Sequence, residues 1–226
     1  MTVLLFVATI VTFLGIDYLV RRSQTAAASA APVHVKSPAV PSLRFPEGIF
    51  FSKTHTWLNL FPSGTVQLGV DDFVSRMFTA PELTLLKGEG EQIAKGEAII
   101  RLQEGSKFVC VHSPIDGRIM RRNGHFSSSK TSVREDLFMN GWAYTIEPKK
   151  GPAELRSFFL GAETKSWIKS ELSKLRDFLA TSSSSTLQTG TAALSLQDGG
   201  EPMPGVLSQM SIEDLARFEA QFLACE

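Results

Sequence analysis

From residue 43 to residue 148 the chain is written in short runs rich in Phe, Val, Ile and Leu, cut at close intervals by Gly, Pro and Asn. Such a pattern folds as many short strands joined by tight turns, because long helices need unbroken apolar stripes and the breakers forbid them. Residues 57–61 (WLNLF) alternate, 62–64 (PSG) turn and 65–69 (TVQLG) return, which predicts a hairpin. Residues 71–78 (DDFVSRMF) set Phe73, Val74, Met77 and Phe78 at helical spacing behind an acidic start, and predict one short helix among the strands. Strands expected at 82–86, 98–102, 108–111, 118–121 and 142–146 complete a small barrel or flattened sandwich of antiparallel strands. An apolar share of 43% with 20% charged residues supports a buried core and excludes wholesale disorder.

A second feature precedes the strands. Residues 3–20 (VLLFVATIVTFLGIDYLV) are apolar except for two threonines, Gly15, Asp17 and Tyr18, and Arg21 and Arg22 follow at once. About twenty apolar residues span a bilayer, so residues 1–22 read as a single-pass transmembrane anchor. The positive-inside rule keeps Arg21 and Arg22 in the cytoplasm, and the body of the chain with them. A cleaved signal peptide is the main rival; small residues follow at 26–31, but the basic residues stand after the apolar run rather than before it. Residues 23–43, rich in Ala, Ser and Pro, read as an extended tether in which His34 is a solvated residue.

Beyond the strands, residues 151–180 carry Leu155, Phe158, Phe159, Ala162, Ile168, Leu172, Leu175 and Leu179 on one stripe, an amphipathic helix or helix pair with a break near Gly161. Residues 181–204 are low-complexity and read as a flexible linker. In the last segment, 205–226, Ser211 to Asp214 resembles a capping box that opens a helix with Ile212, Leu215, Phe218 and Phe222 on one face. A short helix after a linker either folds back on its own barrel or docks on a partner, and Leu215, Phe218 and Phe222 are the expected docking side chains.

Little else points to chemistry. Lys and Arg number 23, as do Asp and Glu, so nothing in bulk charge calls for a nucleic acid or an acidic ligand. Cys110 and Cys225 stand far apart and make neither a disulfide framework nor a zinc site; Cys110 reads as a small buried or half-buried strand residue. His55 and His112 have no nucleophile or second ligand at useful spacing and read as satisfied or surface histidines, and His125, among serines, reads as a loop residue. Lys149 and Lys150 with Arg121 and Arg122 would at most assist an existing membrane anchor. No small-molecule substrate, metal or enzyme activity is expected.

Five pieces stand in order between residues 44 and 150: 51–58 (FSKTHTWL), 69–74 (GVDDFV), 86–96 (LKGEGEQIAKG), 113–117 (SPIDG) and 141–148 (GWAYTIEP). Together they resemble the glycine cleavage system H protein, of the lipoyl/biotinyl carrier superfamily. The resemblance implies a lipoyl-type barrel-sandwich hybrid domain, mainly β with flanking helices, here preceded by one transmembrane helix and followed by amphipathic helices. It also implies a lipoyl arm, amide-linked to a lysine at a hairpin tip. Aligning Gly96 and Pro114 without gaps puts that position on Ser106, whose hydroxyl cannot form the amide. Lys107 is next, with Glu104 three residues before it, but a turn centred on Gly105 and Ser106 leaves Lys107 on the returning strand. The expectation is therefore a membrane-anchored, non-catalytic accessory or scaffold subunit, without cofactor, that docks other subunits of a membrane-associated complex. The alternative is a lipoyl carrier loaded on Lys107.

Overall fold

A computed structural model describes residues 43–128, 137–186 and 204–224. The expected anchor and all of the expected tether but residue 43 lie outside them, as do residues 187–203 of the expected linker. Among the described residues no helix is long and apolar enough to cross a membrane.

Among the described residues nine antiparallel strands form two sheets. The larger has the order β1 (Phe50–Phe51), β2 (Thr56–Leu60), β3 (Val66–Val70), β9 (Trp142–Pro148), β8 (Gly117–Arg122) and β5 (Gln92–Ile93). The smaller runs β4 (Glu82–Leu85), β6 (Ala98–Glu104) and β7 (Lys107–His112). The hairpin expected at 57–69 is β2–β3, with Leu60 opposite Val66 and Gly64 at φ +83 in the turn. Trp57 pairs with Gly69, and a Cβ on Gly69 would sit 2.6 Å from the indole. Glycine there is what lets the fully buried Trp57 ring lie across the neighbouring strand.

Side chains that alternate inward from both sheets, among them Leu58, Leu68, Ile100, Leu102, Val109, Val111 and Ile146, fill the space between them. Tyr144 on β9 ties the sheets polar group to polar group: its hydroxyl donates to Ile99 O on β6 at 2.8 Å and accepts from Lys87 N at 3.0 Å. Burial pushes the Tyr144 phenol up to about 12, so it stays a donor throughout the neutral range.

Helix α1 (Asp72–Met77) is the short helix expected at 71–78, and Asp71 caps it by accepting from Val74 N at 2.9 Å. It is buried on every side, which its polar residues tolerate by pairing: Asp72 meets Arg76 at 2.6 Å and Arg44 at 3.2 Å. A four-residue helix α2 (His125–Ser128) follows β8. After β9 a 3₁₀ helix (Gly151–Ser157) leads through Gly161, at φ +59, into helix α3 (Ala162–Thr186), so the break falls where the sequence puts it.

One boundary differs from expectation. The helix expected to end at residue 180 runs on through the serines to Thr186, into the first residues of the expected linker. Phe178 packs edge-on against Phe218 and Phe222, with ring centroids 6.0 and 5.8 Å away, and Ser182 is buried. Tertiary packing thus carries the helix past Ala180, where intrinsic propensity would end it.

Candidate functional site

The β6–β7 hairpin closes with Glu104 opposite Lys107, leaving Gly105 and Ser106 as a two-residue turn. Gly105 has φ +63 at the first turn position, where a type II′ turn requires glycine. Lys107 is therefore the first residue of β7, as the turn chemistry predicts, and Ser106 occupies the exposed apex.

A C-terminal segment crosses this apex. Lys107 Nζ donates to the carbonyl of Ser208 at 2.7 Å, and the Ser208 hydroxyl donates to the Glu104 carboxylate. Glu104 also accepts from the backbone N–H groups of Thr79 at 3.0 Å and Ala80 at 3.3 Å. Upstream, Gly205 N donates to Arg76 O at 2.9 Å. Gly205 has φ +81 and lies so close to Thr79 that a Cβ would come within 2.4 Å of its hydroxyl.

The same segment then runs along β7, which is an edge of the smaller sheet. Unpaired edge groups invite association with another strand, and here they are covered. Glu219 accepts from Cys110 N at 2.9 Å, and His112 Nδ1 donates to Leu223 O at 3.0 Å, which assigns the proton to Nδ1. Helix α4 (Ile212–Phe218) opens as the capping box predicts, with Ser211 Oγ accepting from Asp214 N at 3.1 Å, and ends in a single π-helical turn (Glu219–Leu223).

Of the two surfaces open to this helix, it takes its own barrel. Leu215, Phe218 and Phe222 are buried within this chain, the two phenylalanines against Phe178 of α3. Ile212, expected on the same face, is 71% exposed; it sits at the first helical position, before the turn that reaches the sandwich.

The buried end of this contact is a charged centre. His55, the one non-glycine residue with positive φ among the described residues, is fully buried with Nδ1 2.8 Å from Asp71 Oδ2. Its Nε2 faces Glu171 Oε2 on α3 at 3.9 Å, an ion-pair distance rather than a hydrogen bond. The ring stacks on Phe73 at 4.3 Å and is flanked by Trp167 and Phe222. Burial opposes the imidazolium, but the Asp71 carboxylate and then Glu171 outweigh it and raise His55 to about 9. Glu171 is held below the usual carboxylate range: burial raises it, while His55 and Lys174, the latter 2.7 Å away, lower it further.

The sequence candidates thus separate. Lys107, Leu215, Phe218 and Phe222 belong to one continuous contact between the C-terminal segment and the sandwich, with Cys110 half-buried and His112 at its edge. His55 is a core histidine, held through Nδ1 by Asp71, while its buried Nε2 makes no hydrogen bond and faces Glu171 at 3.9 Å. His125, Lys149 and Lys150 are exposed elsewhere, and His34 lies outside the described residues. Sequence reasoning missed Ser208, Glu219, Glu171 and Trp167; only long-range packing brings them in, and no local pattern marks them. Among the described residues no cluster of His, Cys, Asp and Glu could hold a metal ion.

An amide-linked arm at a hairpin tip needs a free, projecting amine. Ser106 projects but offers a hydroxyl, and the Lys107 amine, one residue on, donates to the carbonyl of Ser208.

The glycine cleavage H-protein family profile matches residues 49–171. A probable glycine cleavage system H protein of Pyrococcus horikoshii is 24% identical over 123 residues, 54% of this chain and 91% of that protein. The glycine cleavage system H protein of Coprothermobacter proteolyticus is 27% identical over 101 residues, 45% of this chain and 80% of its own. A crystal structure of a glycine cleavage system H protein from Mycobacterium marinum matches 55% of this chain and 99% of that one, with 17% identity and a TM-score of 0.48. The family match ends within α3, before the segment that covers the apex.

Proposed function

The chain belongs to the glycine cleavage H-protein family over residues 49–171, and from that premise we propose that it is a non-catalytic docking subunit that keeps the carrier domain but not a loaded arm. One observation carries this reading: the lysine nearest the hairpin tip spends its amine on the carbonyl of Ser208, within the same chain. The hairpin tip is then a shape for partners to recognise, in a complex to which residues 1–22 attach the domain as a membrane anchor with the body in the cytoplasm. Other subunits of that complex are the expected partners. No nucleic acid or small-molecule substrate enters the proposal.

A second reading keeps the family's lipoyl chemistry on Lys107. It is favoured by the spacing of Glu104 and Lys107 across the tip, and it requires Lys107 to leave Ser208. Intact mass of the protein from its own cells separates the two. The docking reading expects the unmodified mass; a lipoyl adduct that disappears in Lys107→Arg overturns it. Alkaline carbonate extraction tests the anchor: the protein should stay in the membrane pellet, and release of the intact chain refutes the attachment.

A further inference from the structure

We propose that residues 204–210 are an intrasteric strap that masks the Lys107 amine, so that acyl transfer to Lys107 waits on release of the chain's own C-terminal segment. The inference rests on the unloaded-apex reading and adds a cause to it. Acylation joins Nζ to the carbonyl carbon of an activated acyl donor, breaks the bond from that carbon to its leaving group and sends the amine's proton to water. The donor must approach Nζ to about 3 Å along its lone pair. In this structure Nζ is held by its hydrogen bond to Ser208 O, and the Ser208 hydroxyl closes on Glu104 across the hairpin, so the amine has to leave Ser208 before it can turn to a donor.

The strap is built rather than draped. Gly205 enters at φ +81 against Thr79 and donates to Arg76 O, a backbone path that a side chain at 205 would obstruct. Val206, Leu207 and Met210 are buried, which pins the stretch on either side of Ser208. The grips at the tip itself, on Ser208 and Glu104, are only part-buried, so release is a local opening that exposes Val206 and Leu207 while Phe218 and Phe222 stay packed. The strap also lies outside residues 49–171, and so is an addition to the family domain rather than a part of it.

The test uses the full chain and N-hydroxysulfosuccinimidyl acetate, an amine-acetylating reagent, with acetylation followed by peptide mass spectrometry. Lys149, which is exposed, serves as the internal reference. Lys107 should react at least about tenfold more slowly than Lys149 in the unaltered chain, as expected for a group that reacts only from a locally opened state. Gly205→Val, which crowds Thr79, and Leu207→Ala, which weakens the strap's burial, should each bring Lys107 toward the Lys149 rate. Near-ultraviolet circular dichroism of the buried tryptophans reports whether the sandwich is intact in each variant. Equal reactivity of Lys107 and Lys149 in the unaltered chain overturns the strap, as does unchanged protection in both variants with the tryptophan signature retained. The two proposals fail separately. A lipoyl adduct on Lys107 with slow labelling of the unloaded fraction removes the docking reading and leaves the strap; fast labelling without an adduct does the reverse.

Discussion

The C-terminal region meets the sandwich at two charged groups, Lys107 at the hairpin tip and His55 at the buried end, and they are held in opposite ways. His55 is fully enclosed between Asp71 and Glu171 and walled by Phe73, Trp167 and Phe222. Lys107 is half-buried, and its amine meets the backbone carbonyl of Ser208. A fully buried charge is tolerable only with partners already in place, so the His55 centre is committed to the folded state. A half-exposed amine can exchange its protein acceptor for water at a net cost of about 1.5–3 kcal/mol or less, and so it can be released. The same segment is thus fastened at one end and releasable at the other.

The largest expected effect lies at the fastened end. Phe218 is fully buried and stacked on Phe222 at 4.7 Å, so Phe218→Ala should lower the unfolding free energy by about 3–5 kcal/mol in urea titration. A loss below about 1 kcal/mol would mean that the aromatic contact does not fasten the segment.

Next comes the pH dependence of His55. Its folded pKa of about 9 lies above the ordinary 6.5. Its stabilisation is therefore fully present below about 6.5 and lost as pH rises through about 9. At about 1.4 kcal/mol per unit, the shift bounds the effect at about 3.5 kcal/mol. Urea midpoints measured from pH 6 to pH 10 should fall in the native chain, and His55→Gln should remove most of that slope. An unchanged slope in the variant would assign the titration to another group.

A smaller effect belongs to the strand edge. Glu219→Ala removes the acceptor of Cys110 N, and should cost about 1–2 kcal/mol and speed hydrogen exchange at that amide. If exchange at Cys110 is unaltered, the edge is closed by something other than Glu219. The smallest belongs to the releasable end. Ser208→Ala keeps the carbonyl that holds Lys107 but loses the hydroxyl on Glu104, and should cost only about 0.5–1.5 kcal/mol in the same titration. A loss as large as that of Phe218→Ala would erase the contrast between the two ends.

What the sequence determined by itself is local. The β2–β3 hairpin, the Asp71-capped helix, the Gly105–Ser106 turn, the break at Gly161 and the Ser211 cap all follow from backbone preferences and short-range hydrogen bonds, which neighbours in the chain decide. The order of the five motif pieces carried the family, and turn geometry alone put Lys107 on the returning strand. Tertiary structure decided what crosses long stretches of chain. It extended α3 through serines to Thr186, set Glu171 beside His55, and laid Ser208 on Lys107 and Glu219 on the edge of β7. It also settled which surface Leu215, Phe218 and Phe222 cover. The physical reason is that an amphipathic face specifies burial without specifying against what; that choice belongs to the shape and charge of the surface it finds when the chain closes.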